Sequence, residues 1–340
     1  MKTTHFSLTT MRRIASNAII YGLPIPVLLI SLMIGSSDNI GITAFWDWIR
    51  SIVDSSHTGS KVVENVIFNI RLPRALMTFL VGAALATSGG VLQAIFRNPL
   101  VDPYILGISS GAAFGASLAI LIPLLSLHIS AFVFGAAAVT LTYIFGYSRN
   151  SSSITIILAG MIVSGLFTAS LALVQYMSDP FKLQAIVQWT MGSLHLSSWH
   201  KVQQAVLPIS AGLLGLYLIR WKLNLLSLGD DEARAVGVNP LYIKIIAVFL
   251  ATVVTAVAVA SAGIISLYGL FVPHITRMLV GASNTKTTPA NIFFGGTFLL
   301  IIDNFCRTVF PYEIPIGIFT MIIGAPFFIF LIKKRKINWS

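Results

Sequence analysis

Charge is scarce in this 340-residue chain: charged residues make up 10% of it, with 11 Asp and Glu against 22 Lys and Arg. With 56% hydrophobic residues and a mean hydropathy of +0.87, it lies far from soluble domains, in which about a quarter of residues are charged. A water-soluble fold is excluded and an all-α polytopic membrane protein is expected. The single cysteine, Cys306, allows neither an intrachain disulfide nor a Cys-based metal site, and reads as inert packing. No Gly-Lys dipeptide occurs anywhere, so no P-loop can cradle phosphates and the chain cannot hydrolyse ATP alone. The six histidines are dispersed and no carboxylates cluster within the apolar runs, so no metal site is expected.

What is abundant is charge-free sequence. Crossing roughly 30 Å of hydrocarbon takes about 20 apolar residues, and the runs give ten spans. The first lies between Arg13 and Asp38 and the second runs from Pro73 to Phe96. The stretch from Pro103 to Ser148 folds back near Pro123 and His128 to give two. Span five covers Ile154 to Met177, span six Lys201 to Arg220, and span seven Leu241 to Ala262. Gly263 permits a bend into a shorter span eight ending near Gly281; spans nine and ten occupy Ala290 to Phe310 and Pro315 to Ile332. The whole chain, 1–340, reads as one transmembrane domain.

With the N-terminus inside, 15 of the 22 Lys and Arg fall on or near the inner face. That asymmetry makes both termini cytoplasmic and explains the net charge of +11 as topology in preference to nucleic-acid binding. Arg12 and Arg13 before an apolar run mimic a signal peptide, but the run is too long and lacks a small-residue cleavage site, so span one is expected to stay attached.

Outside the spans the longest piece is the outer segment 36–70. Its Phe45, Trp46, Trp48, Ile49 and Ile52, interleaved with Asp47, Arg50 and Asp54, predict an amphipathic helix at the headgroups; Trp189 and Trp199 mark a second interfacial stretch. Within the spans, small residues crowd 82–90, 107–115 and 160–165, the pattern of close helix packing. Pro99, Pro103 and Pro273 are expected to interrupt helices at membrane depth. Ser88-Gly-Gly before Pro99 and Ser261-Ala-Gly before Pro273 echo each other on oppositely directed spans, as in an inverted repeat.

Three constellations could carry chemistry. Gly107-Ile-Ser-Ser-Gly111 matches the nucleophile-elbow spacing, with His128 or His274 as base, but that motif needs a strand-to-helix turn above a sheet, and packing explains the same letters. Asp303 and Arg307, at i and i+4 on span nine, read either as a structural ion pair or as the ion-coupling carboxylate of a secondary transporter; the pair is favoured. The third is Leu228-Gly-Asp-Asp-Glu-Ala-Arg-Ala-Val-Gly-Val238, which holds three of the eleven acids. Ser227 or Asp230 can cap a short helix there, its dipole favours acids in the first turn, Gly237 suits its end, and Pro240 opens span seven. About two turns are too short to stand alone, so this helix must pack against something.

Arg71-Leu-Pro-Arg74, Ser88-Gly-Gly, Gln93, Asn98-Pro-Leu100, Leu106-Gly-Ile-Ser-Ser-Gly111, the charged loop, Val272-Pro-His274, Glu313-Ile-Pro-Ile-Gly317 and Gly324-Ala-Pro-Phe-Phe328 occur in the order seen in the FecCD-type permeases, which this chain resembles over nearly its whole length. These are membrane subunits of type II ABC importers for metal chelates, chiefly ferric siderophores, with haem, cobalamin and oxyanions such as molybdate also represented. The resemblance implies a non-enzymatic permease of a bacterial inner membrane that pairs with an identical or paralogous permease. It implies two cytoplasmic ATPases that bind ATP and Mg, a periplasmic or lipid-anchored substrate-binding protein, and no cofactor on this chain.

By the same resemblance, the loop 221–240 carries a cytoplasmic coupling helix formed by Gly229, Asp230, Asp231, Glu232, Ala233, Arg234 and Gly237. Arg71, Arg74 and Arg307 match arginines that meet acids of the binding protein, and Ser151, Ser152 and Ser153 match the cytoplasmic gate. One departure is Leu267-Tyr268 ahead of Gly269-Leu270, where the family has an aromatic and a valine; this is expected to bear on the lining of the pathway.

Overall fold

The computed structural model describes residues 18–35, 41–53, 61–147, 153–310 and 312–334, and among them there is no strand. The helices are α1 (Pro24–Met33), α2 (Ile42–Val53), α3 (Lys61–Phe96), α4 (Ile108–Leu121), α5 (Leu127–Gly146), α6 (Ser153–Met177) and α7 (Pro180–Thr190). After them come α8 (Trp199–Leu218), α9 (Arg220–Leu228), α10 (Asp230–Ala235), α11 (Pro240–Ala262), α12 (Tyr268–Val280), α13 (Asn284–Thr308) and α14 (Ile316–Lys334).

A helix lies on each of the ten expected spans, but among the described residues only α3, α5, α6, α11 and α13 are long and apolar enough to cross a membrane; α8 and α9, bent by 54°, make a sixth if counted together. The count of ten is therefore not reached by length. Helix α4 shows why: its 14 residues reach only about 21 Å. It is fed by an irregular segment whose Val101, Asp102 and Pro103 are buried, and burial in protein is the condition for non-helical backbone at membrane depth.

Prolines and short polar side chains set the helix starts. Pro180 and Pro240 stand at N1, where the missing N–H costs nothing. Asp179 Oδ1 accepts from the backbone of Phe181 and Lys182, and Asn239 Oδ1 from Leu241 and Tyr242. The backbone N–H of Lys182, above all, holds the exposed Asp179 carboxyl below its usual range. Pro73 sits two residues beyond a π-helical turn, Val66–Arg71; widening the turn before a proline relieves the clash of its ring with the preceding carbonyls.

Helix α3 is the central column, with 83% of its apolar window buried. It packs most extensively on α13, then on α11, α12 and α8, while α4, α5 and α6 form a flanking group. Phe114, Phe134 and Phe167 join that group, with centroids 5.1 to 6.5 Å apart. Helix α6 leaves Leu158, Ile162, Leu166 and Leu173 exposed, the face a membrane helix offers to lipid or to another chain.

The expected small-residue packing is present at α3 and α13. A Cβ on Gly82 would lie 2.5 Å from Gly295 O, and one on Gly295 would lie 2.8 Å from Gly82 O; the two backbones touch because neither carries a side chain. Gly295→Ala is expected to cost about 1–3 kcal/mol through overpacking. Gly165, by contrast, has open space around it, and Gly165→Ala should be neutral or stabilising by up to about 1 kcal/mol. Thermal unfolding of the two purified variants tests the contrast, and equal midpoints would count against it.

Pro273 does not interrupt its helix as expected: it lies inside α12. Its missing N–H frees the carbonyl of Gly269, which accepts from Gln93 Nε2 at 3.3 Å, while Leu270 O accepts from the same amide at 3.2 Å. A side chain from α3 thus satisfies the carbonyl the proline abandons. Gly263 makes the expected bend with φ +70°.

Candidate functional site

The charged loop folds into two helices. Helix α9 turns away from α8 by 54° and buries Leu223 and Leu226. Asn284 N donates to Asn224 Oδ1 at 2.6 Å, and Asn284 Nδ2 to Ser227 Oγ at 3.3 Å, which fastens α9 to the start of α13. Helix α10 is six residues long and buries Ala233. Neither expected cap is used: Gly229 occupies the N-cap without a side-chain bond, and Ser227 Oγ donates back to Leu223 O. The C-terminal end is as expected. Gly237, at φ +80°, lets its N–H donate to Arg234 O and that of Val238 to Ala233 O, both at 2.9 Å.

Asp230 does a different job from capping. One of its oxygens takes Arg97 Nη2 at 2.5 Å and the other takes Lys244 Nζ at 2.6 Å. Arg97 stands at the left-handed C-terminal residue of α3 and donates through Nε to Leu226 O at 2.8 Å, and Lys244 lies on α11. A single carboxylate therefore ties the short helix to the central column and to α11. Asp231, Glu232, Arg234, Ala235 and Gly237 are left exposed, beside the exposed apolar side chains of Leu228 and Val236. Asp231 and Arg234 pair with each other at 3.1 Å across one turn. The result is a ridge with polar and apolar contacts to offer, held at its base by ion pairs.

The tie continues inward. Arg277 of α12 donates to Gln93 Oε1 at 2.5 Å and to Gly90 O at 3.3 Å, both on α3. Ser88 of α3 accepts from Thr255 of α11 at 2.9 Å. Ion pairs and hydrogen bonds thus connect α10 to α3 and α11, and α3 in turn to α12.

At the opposite end of the bundle the three arginines singled out in the sequence are turned inward, with 4%, 8% and 4% exposure for Arg71, Arg74 and Arg307. Arg74 binds Asp303 through Nη2 at 2.8 Å and Nε at 3.1 Å, and Glu313 through Nη1 at 3.0 Å. Arg307 donates to Ser31 O at 2.6 Å and to Ser31 Oγ at 2.8 Å; Arg71 donates to Leu32 O and Met33 O. Asp303 is fully buried. Its expected i+4 partner, Arg307, approaches only to 4.0 Å, so the dominant ion pair is the long-range one with Arg74.

Of the expected gate, Ser151 and Ser152 lie outside the described residues, and Ser153 opens α6 with a side chain outside them. In the outer segment, 36–40 and 54–60 also lie outside; the rest bears the expected helix α2, with Phe45 buried and Trp46 exposed. Tyr268 donates to Gly295 O at 2.5 Å and is fully buried, so this half of the Leu267-Tyr268 departure packs helices together, while Leu267 is half-buried at φ +62°. The hydrolase reading loses His128 as its base: Ser109 begins α4 whereas His128 lines a cavity with Ile120 at the helix's other end, about 16 Å along the axis; the strand-to-helix turn that the motif needs is also absent among the described residues. Among the described residues no three His, Cys, Asp or Glu gather as metal ligands.

Known proteins share this architecture. Residues 23–334 match the FecCD transport family. The Haemophilus influenzae molybdate import system permease protein MolB is 44% identical over 279 residues, 81% of this chain and 83% of that protein. The Yersinia pestis hemin transport system permease protein HmuU is 38% identical over 324 residues, 91% and 94% of the two chains. A solved metal-chelate type ABC transporter in an inward-facing conformation superposes with a TM-score of 0.82 at 40% identity, over 94% of this chain and all of that one. With a helix on each expected span, an anchored charged ridge and a family match over residues 23–334, this chain belongs to the FecCD transport family, the membrane-spanning permeases of ABC importers.

Proposed function

We propose that the chain forms half of the translocation unit of a bacterial inner-membrane importer, with both termini cytoplasmic, and moves a metal chelate inward. Two cytoplasmic ATPases supply the energy and a substrate-binding protein delivers the cargo from the other side. A second permease, identical or paralogous, completes the channel. The observation that carries this reading is the ridge of α10. Glu232, Arg234 and Val236 face outward for an ATPase groove, while Asp230 holds the helix to α3 and α11. ATP-driven closure of the ATPases pulls on that helix, and the ion pairs and the α3–α12 bonds carry the motion into the bundle. Ser151, Ser152 and Ser153 line the inner constriction.

At the far end, docking by Arg71, Arg74 and Arg307 requires an exchange of partners. Acids of the binding protein compete with Glu313, whose side chain is 36% exposed, for the Arg74 guanidinium. Opposite charge then registers the complex.

A ferric siderophore is the first cargo to test, since relatives named for iron chelatin in Helicobacter pylori are 40% identical over 80% of this chain. A molybdate-type oxyanion is the second reading, favoured by the 44% identity to MolB. Purifying the tagged chain from native membranes in mild detergent and quantifying co-purifying proteins by mass spectrometry tests the assembly. An ATPase at about one copy per permease is expected, and a solitary permease across several detergents overturns it. Uptake of ferric siderophore, haem and molybdate by the reconstituted complex then ranks the cargoes.

A further inference from the structure

A cavity of about 250 Å³ opens at the end of the bundle opposite α10, among the ends of α4, α7 and α11 and the starts of α5 and α8. It is smaller than the roughly 300–1,000 Å³ of pockets for drug-sized ligands, too small for a chelate. Its polar lining is one-sided: His128, Gln188, Ser193, His195, Lys201 and Ser261, with no carboxylate.

Two of these groups lack partners among the described residues. His128 Nε2 is buried without a hydrogen bond, a condition that in native structures calls for an explanation. Lys201 forms no salt bridge among the described residues, although partly buried. A half-buried ammonium with no carboxylate in the lining beside it favours an anion. The Gln188 amide and the imidazoles of His128 and His195 add N–H donors. His195 is positioned by a hydrogen bond between its Nδ1 and Ser193 Oγ, which leaves Nε2 available.

We propose that this cavity is an oxyanion site, in which Lys201 supplies the charge and His128 a buried hydrogen bond to a tetrahedral, phosphate-like group. The group has two sources. One is a free inorganic oxyanion. The other is the phosphodiester of an anionic lipid, because Trp189 and Leu196 also line the cavity and tryptophan is enriched at headgroup level on both faces of a membrane. The site is separate from the proposed coupling and docking regions, so it stands whichever cargo the importer carries.

The test uses the full chain in nanodiscs and two probes. Radiolabelled inorganic phosphate is titrated onto protein in phosphatidylcholine discs; separately, native mass spectrometry reads lipid retained from discs of equal parts phosphatidylcholine and phosphatidylglycerol. Saturable phosphate binding near one per chain, weakened at least about tenfold in Lys201→Met and largely kept in Lys201→Arg, identifies the free oxyanion; tenfold corresponds to losing about 1.4 kcal/mol of charge-assisted bonding. One phosphatidylglycerol retained per chain, lost in Lys201→Met and kept in Lys201→Arg, without phosphate binding, identifies the lipid. Absence of both, or equal binding by Lys201→Met, overturns the proposal. Each variant must match the wild type in size-exclusion profile and unfolding midpoint. If Lys201→Met does not, His128→Gln takes its place under the same criteria.

Discussion

Asp303→Ala is expected to destabilise the folded protein by about 3–5 kcal/mol, the usual consequence of removing one partner of a buried ion pair. Asp303 is fully buried and both of its oxygens face Arg74. Without it, Arg74 keeps only Glu313, which is partly solvated, and Arg307 loses the nearest buried acid. The uncompensated guanidinium then sits among α3 and α13, where the two backbones are already in contact. The chain carries its own probe: Cys306, its single cysteine, lies buried three residues along α13. A thiol-reactive fluorophore should therefore label Asp303→Ala at a much lower temperature than wild type. The double replacement Arg74→Met with Asp303→Leu should recover most of the loss, because apolar groups of similar volume commonly substitute for buried pairs without penalty. An unchanged labelling temperature in the single variant would show that the pair contributes nothing.

The same geometry disposes of Asp303 as an ion-coupling carboxylate. Both of its oxygens are held by Arg74, and membership of an ABC importer family assigns the driving force elsewhere.

This pair also marks the boundary of what the sequence discloses. Charge-free runs located the helices because the bilayer imposes a length and a composition that any reader can count. They were silent on α7 and α9, short helices outside that rule, and on the π turn before Pro73. The loop helix and its glycine ending were legible because capping is local. The anchoring role of Asp230 was not, since Arg97 is 133 residues away and nothing in the neighbouring letters announces it. The i+4 spacing likewise pointed Asp303 to Arg307, whereas its partner comes from 229 residues earlier. The family resemblance implies docking roles for Arg71, Arg74 and Arg307 but not their burial; the fold turns them inward onto its own acids and carbonyls.

Two substitutions about 3 Å apart along the axis of one short helix should separate binding of the ATPase from transmission of its motion. Glu232→Arg reverses charge on the exposed ridge, where no partner in this chain holds the side chain in an ion pair among the described residues. Its unfolding midpoint should stay within about 0.5 kcal/mol of wild type, as for ordinary surface changes, while ATPase co-purification and uptake fall at least about tenfold, the effect of roughly 1.4 kcal/mol at a docking contact. Asp230→Ala acts at the base of the ridge. It removes both ion pairs, to Arg97 and to Lys244, from a helix too short to hold its place unaided. Because those pairs are partly exposed, each contributes on the order of 1 kcal/mol or less, so the chain should still fold and still recruit the ATPase through the outward residues. Uptake per ATP hydrolysed should drop, since the helix can then move without carrying α3 and α11 with it. Arg97→Ala should reproduce that phenotype, and combining it with Asp230→Ala should add little, as expected for residues acting through one contact. Wild-type uptake by Glu232→Arg would remove the ridge from the ATPase interface, and wild-type coupling by Asp230→Ala would mean that force enters the bundle through α9 and its bonds to α13 instead.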